Sequence, residues 1–159
     1  INHQQKIIIY NVSRQSAMDF IYKDQFYFVG DSLLLQDALP KNFYLKPARI
    51  SMLLSEARQP FSQLHIRENL YQFGPKSVQL IHKDDTLTPA KPPLKVDILL
   101  ITKNPDLSIM ELASHIQPAV VVFDASNPLW KIAKWRSECE RLTLRCHSVP
   151  EQGAFVLDF

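Results

Sequence analysis

The sequence predicts a mixed α/β (α+β) fold, and two stretches carry that prediction. Residues 95–141 read KVDILLITKNPDLSIMELASHIQPAVVVFDASNPLWKIAKWRSECER: two apolar runs, each ending in a polar turn and followed by a helical pattern. Residues 6–29 instead hold three β-branched and aromatic runs separated by short polar turns, the pattern of an antiparallel meander. Together they call for mixed sheets with flanking helices.

Lys6–Val12 (KIIIYNV), Ser16–Tyr22 (SAMDFIY) and Gln25–Val29 (QFYFV) are predicted strands, turning at Lys23-Asp24 and closed by Gly30-Asp31. Asp31 or Ser32 is placed to cap a short helix over Leu33–Ala38, before Pro40. Lys41–Arg58 has apolar residues without a clean period, and Pro47 breaks any single helix through it. That segment is expected to be irregular, with one strand or helical turn near Ile50–Leu54. Phe61–Ile66, Asn69–Phe73 and Ser77–His82 are short predicted strands, with Gly74-Pro75-Lys76 as a hairpin turn. Lys83–Leu94 is a polar, proline-rich connector.

In the strand–helix units, Val96–Ile101 stops at Thr102-Lys103-Asn104-Pro105, and a helix over Leu107–Ser114 follows with Asp106 as its cap. Val120–Phe123 stops at Asp124-Ala125-Ser126-Asn127-Pro128. There Ser126 or Asn127 caps a second helix, with Pro128 in the first turn. Ile132, Trp135, Cys139 and Leu142 fall on one face of it, with Lys131, Lys134, Arg136 and Arg141 largely off that face. Leu144–Val149 and Ala154–Phe159 are the last predicted strands, joined by a turn at Pro150–Gly153.

At 159 residues one domain is expected, and a chain that opens on Ile1 fits a piece cut from a longer protein or a cleaved tag. Net charge of +2 does not by itself imply nucleic acid. No apolar run approaches the roughly 20 residues of a spanning helix. Three glycines against eleven prolines argue against a glycine-rich phosphate cradle. Cys139 and Cys146 are expected as reduced, mostly buried thiols, although their placement late in a helix and in the next strand allows a disulfide.

In open α/β sheets, the turns at the carboxyl ends of strands are where chemistry usually sits. His3, His65, His82, His115 and His147 are scattered without metal-ligand spacing, and no nucleophile elbow is present. Asp84-Asp85 reads as a solvated pair, and Asp97 as a backbone anchor. Asp124, ending a buried strand, reads first as an Asx turn or extra helix cap and second as a reactive carboxylate. Lys131, Lys134, Arg136, Arg141 and Arg145, with Trp130 and Trp135, have two readings. They form either a phosphate- and base-contacting surface, or a solvated helix face with its tryptophans in the core.

In their order these pieces resemble the metallo-β-lactamase-like domain at the C-terminus of ComEC-type competence proteins. Asn11-Val12, Ser13-Arg14-Gln15 and Ser16-Ala17 stand where that family has D-V, G-Q-G and D-A, and Phe28-Val29-Gly30-Asp31 matches its short Asp/Gly turn. Asp97-Ile98-Leu99 matches its late D-V-L strand, Asp124-Ala125-Ser126-Asn127 its G-A-N-N, and Gly153-Ala154-Phe155-Val156 its last strand. The departures fall on the metal motifs. No H-x-H-x-D-H lies between Asp31 and Val96, the His-His turn reads Lys103-Asn104, and the late Gly-His-Pro reads Pro128-Leu129-Trp130.

The resemblance implies a shortened αββα sandwich whose degenerate active-site positions are Lys103, Asn104, Asp124 and Pro128. With the ligand motifs missing, it implies no metal, no catalytic residue and no cofactor. It implies a pseudoenzyme module on the extracytoplasmic side of the inner membrane. Its partners would be the membrane-channel portion of the same polypeptide and single-stranded DNA, the latter through Trp130, Lys131, Lys134, Arg136, Arg141 and Arg145. Two alternatives stand beside it. One is a hydrolase with a rearranged metal site or a metal-free mechanism on Asp124, Lys103 and Asn104. The other is a docking domain with an apolar patch at Phe43, Tyr44 and Leu45.

Overall fold

The computed structural model describes residues 4–31, 45–82 and 92–159. β1 (Gln5–Ile9), β2 (Ala17–Tyr22) and β3 (Gln25–Gly30) form the expected antiparallel meander. Helix α1 (Lys46–Ser51) follows, and then the two-residue β4 (Ser55–Glu56), parallel to β3. β5 (Leu64–Arg67), β6 (Leu70–Phe73) and β7 (Lys76–Ile81) are joined by hairpins. From β7 the second sheet continues in parallel through β8 (Leu94–Ile101), β9 (Ile116–Phe123) and β10 (Cys146–Ser148). α2 (Ile109–Ala113) connects β8 to β9, and α3 (Leu129–Arg141) connects β9 to β10. After α4 (Val149–Gln152), β11 (Phe155–Asp158) returns to the first sheet, antiparallel to β1.

Because side chains alternate along a strand, each sheet presents two apolar faces. Ile7, Ile9, Met18 and Phe20 of the first sheet meet Phe73, Val78, Ile98, Leu100 and Val120 of the second. The intervening residues Ile8, Tyr10, Ile21 and Phe26 point the other way, onto Leu45 and α1. On the far side of the second sheet, Leu99, Ile101, Val121 and Phe123 pack against Ile109 and Leu112 of α2 and Ile132, Trp135 and Cys139 of α3. Trp135 stacks on Phe123 at 5.6 Å, so the helical face read from the sequence is the one buried. The layers run helix, sheet, sheet, helix, which is the αββα sandwich expected.

Several boundaries differ from expectation. Pro47 opens α1, because proline lacks only an N–H that a first turn leaves unused. Ser108, not Asp106, precedes α2, and its hydroxyl bonds Glu138 of α3 instead of capping. α3 begins behind Pro128, so neither Ser126 nor Asn127 caps it; both side chains are committed to the turns described below. The predicted strand over Leu144–Val149 is confined to β10, and the predicted turn at Pro150–Gly153 is helix α4. His82 lies just past β7. The predicted helix over 33–38 and most of the connector over 83–94 fall outside the described residues, as do Asp84-Asp85, Phe43 and Tyr44. Leu45, the remaining member of the expected apolar docking patch, is fully buried.

One polar cluster lies within an apolar layer. Asp19, in the middle of β2, is fully buried beneath α1. Arg49 reaches it from α1 through two bonds, of 2.8 and 3.0 Å, and Tyr10 donates to it at 2.8 Å. The Arg49 guanidinium also lies over the Phe26 ring at 3.9 Å. Burial raises the Asp19 carboxyl above its ordinary range, and Arg49 opposes that rise. Burial, with Asp19 next to it, pushes the Tyr10 phenol well up, so it stays a donor.

Breaking such a pair from one side strands a buried charge. Arg49→Met is therefore expected to lower stability by about 3–5 kcal/mol in urea unfolding. Combining it with Asp19→Leu should recover part of that loss. A single-variant loss under about 1 kcal/mol would show that the pair does not anchor α1.

Candidate functional site at the carboxyl ends of β8 and β9

β8 and β9 are parallel neighbours, so their carboxyl ends bring Lys103-Asn104 beside Asp124-Ser126-Asn127. Lys103 and Asn104 both adopt left-handed backbone, with φ of 63° and 53°. Two consecutive non-glycine residues in that region need external support. Side chains of the second turn supply it. The Lys103 N–H donates to Ser126 Oγ at 2.8 Å, and the Asn104 N–H to Asn127 Oδ1 at 2.9 Å. Asn127 is buried, and its Nδ2 donates to the carbonyls of Ile101 at 2.8 Å and Asp124 at 3.1 Å. One side chain thus holds both turns.

Asp124 is fully buried. Its Oδ1 accepts from the Ser126 N–H at 3.0 Å, forming the Asx turn, and from the Ser126 hydroxyl. No donor among the described residues reaches its Oδ2 with hydrogen-bonding geometry, although Ser16 and Lys103 lie close enough to favour the charged form. Burial dominates and raises the carboxyl to about 6.

Lys103 reaches across to the other sheet. Its ammonium pairs with Asp31 Oδ1, just past β3, and Asp31 Oδ2 accepts the Ser16 N–H at 2.9 Å. Asp31 N in turn donates to Ser16 O at 2.9 Å, and a Cβ at Gly30 would sit 2.3 Å from that same oxygen. Only glycine lets the ends of β2 and β3 approach this closely. The turn before β2 carries its positive φ, 61°, at Arg14, while Ser13 and Gln15, which stand at glycine positions of the resembled motif, avoid it. These residues border a cleft of about 260 Å³ lined by Ser16, Asp31, Asn69, His82, Thr102 and Lys103.

Among the described residues no group of three or more His, Cys, Asp or Glu is placed to hold a metal ion. His82 lines the cleft, His65 is exposed in β5, and His115 lies beyond α2. His147 bonds the Gly153 carbonyl at 2.8 Å. Asp97 anchors backbone as expected, accepting from the Ser77 N–H at 2.8 Å.

The basic and aromatic cluster divides between the two readings it allowed. Trp135 is core, but Trp130 is 68% exposed, with the Lys131 ammonium 5.5 Å from its ring centre. Trp130, Lys134, Ser137 and Arg141 recur at i, i+4, i+7 and i+11 and are all exposed, opposite the buried stripe. Arg145 is exposed beyond the helix, while Arg136 is engaged with Glu151 at 3.1 Å. The sequence marks Asp31 as a turn residue or helix cap and Ser16 as a motif position, without their link to Lys103, and gives Asp19 and Arg49 no role. An acidic residue inside the apolar run AMDFIY was the available signal for Asp19.

The fold and this edge define a four-layer αββα domain in which a lysine–carboxylate pair bridges strand ends of the two sheets. The chain belongs to the ComEC C-terminal domain family, whose model matches residues 7–159. That membership ties it to the membrane proteins of competence DNA uptake. Among the described residues no helix is long and apolar enough to cross a membrane. Neither a curated protein nor a solved structure matches the chain.

Two outcomes are expected at this edge. A carboxyl at about 6 in the fold and 3.8 unfolded binds its proton more tightly when folded, so stability rises as pH falls through that window. Relative to Asp124→Asn, the protein should gain about 1 kcal/mol between pH 7 and pH 5 in urea titrations, and an unchanged difference would refute the shift. Asn127→Ala should lower stability by about 2–3 kcal/mol, because buried carbonyls and the Asn104 N–H lose their partner. It should also speed amide exchange at Lys103 and Asn104.

Proposed function

We propose that this domain is a non-catalytic module of a ComEC-type DNA-uptake protein, held on the extracytoplasmic side beside the channel portion of the same polypeptide. There it contacts single-stranded DNA along the outer face of α3. The observation that carries the reading is the exposed stripe Trp130, Lys134 and Arg141, with Lys131 beside the indole. An exposed indole offers a base a stacking face, and flanking cations draw the phosphates between stacked bases. Lys134, Arg141 and Arg145 make no ion pair among the described residues, so their charge is available to a partner.

What supports the non-catalytic part is the state of the edge groups. Asp124 is fully buried and cannot take a proton from a bound water or substrate without the turn opening. Lys103 and Asp31 satisfy one another across the cleft. A hydrolase on Asp124, Lys103 and Asn104 would need Asp124 and Lys103 freed at once. Elemental analysis and nuclease and phosphodiesterase assays are decisive here: stoichiometric zinc or manganese, or turnover lost in Asp124→Asn, would replace this reading with the enzymatic one. For the compartment, a fusion reporter active only outside the cytoplasm is expected to report when placed directly after this domain in the full-length polypeptide.

Fluorescence anisotropy with labelled single-stranded DNA at low salt tests the contact. Binding is expected to weaken steeply with salt. Trp130→Ala should weaken it by fivefold or more, the equivalent of at least about 1 kcal/mol of lost stacking. Lys134→Glu with Arg141→Glu should weaken it further and flatten the salt slope. Binding that ignores salt, or survives both changes, would sink the proposal.

A further inference from the structure

Cys139 and Cys146 meet where the chain leaves α3 and enters the second sheet. Cys139 lies on the buried face of α3 and is fully enclosed. Cys146 opens β10, opposite Val121 of β9, and is only half-buried. The connection between them reverses within one turn. Leu144 N–H returns to the Cys139 carbonyl at 2.8 Å, and Thr143 takes a left-handed φ of 57° to make that possible. Cys139 belongs to the cluster between the second sheet and its helices and Cys146 packs against it, near enough for the Cys146 thiol to act on that of Cys139. The two are free thiols here, and no histidine or carboxylate joins them in a metal-binding group among the described residues.

We propose that Cys139 and Cys146 are a redox-closable pair, forming a disulfide that fastens the last turn of α3 to β10. The proposal rests on the chain's own geometry and not on the DNA contact. The oxidant is a low-molecular-weight disulfide. Cys146, the accessible partner, loses its proton and attacks one sulfur of that disulfide, forming a mixed disulfide and releasing one thiol. Cys139 then loses its proton and attacks the Cys146 sulfur, releasing the second thiol and closing the internal bond. The protein gives up two protons and two electrons, and the oxidant leaves as two thiols.

The order of attack follows from accessibility, since Cys139 is sealed off from any external reagent. Burial, followed by the neighbouring Cys146 thiol, pushes the Cys139 thiol up to about 12, so the closing step is the slow one and quickens as pH rises. Closure links a helix to a strand across a short loop, and so restrains the end of α3 most remote from Trp130.

Incubating the 159-residue chain with oxidised glutathione, followed by intact mass and thiol titration, tests this. The expected result is a loss of two hydrogens, both thiols vanishing together, and a higher urea midpoint that dithiothreitol reverses. Cys139→Ser should instead trap glutathione on Cys146, and Cys146→Ser should leave the folded protein unmodified. A wild-type protein that keeps both thiols, retains a stable mixed disulfide, or closes with a lowered midpoint would overturn the proposal. These wild-type outcomes and Cys146→Ser remain decisive if Cys139→Ser does not fold.

Discussion

The Asn127 side chain is the constraint on which the carboxyl edge of the second sheet depends. Its amide nitrogen bonds carbonyls of both turns, and its oxygen takes the N–H of Asn104. Without those bonds, two buried carbonyls lose a donor and the left-handed pair Lys103-Asn104 loses a fixed partner. The direction of the Lys103 side chain follows from that backbone. So does its pairing with Asp31, and through Asp31 the locked ends of β2 and β3. An uncharged amide buried in one βα turn therefore decides where an ammonium stands in the cleft between two sheets.

The parts of this fold that were legible in the sequence are those where local pattern and tertiary environment agree. β8 and β9 are buried on both faces, so their continuous apolar runs marked them plainly. The Ile132, Trp135 and Cys139 stripe marked the inner face of α3 because the helix is long enough to show its period. Short elements were less legible. α1 and α4 have six and four residues and carry a proline at their second position, which reads as a breaker when no longer pattern shows that it sits in a first turn. β10 has only three residues, fewer than alternation needs to declare itself.

At the candidate site, motif order marked the two turns but not the interactions inside them. Asp124 as an Asx turn followed from its position, whereas the Lys103–Asp31 pair joins residues 72 apart, and no local rule connects them. The same holds for Asp19 and Arg49, 30 residues apart, one of them in the segment without a period. The sequence contained the anomaly, an aspartate in an apolar strand, but not its resolution. A buried charge signals that a partner exists, and only the packing of α1 on the first sheet identifies which arginine it is.

The return of β11 to pair with β1 bears on how the domain would carry load. The strands are antiparallel, so Gln5 and Phe159 lie side by side, and the Phe159 N–H bonds the Gln5 carbonyl at 3.1 Å. Tension applied between those two points would act across the ladder rather than along it, opening the β1–β11 bonds one after another from that end. A ladder loaded in this way yields at low force. Under such a pull the first mechanical failure would peel β11 away from β1, leaving the parallel core of the second sheet intact.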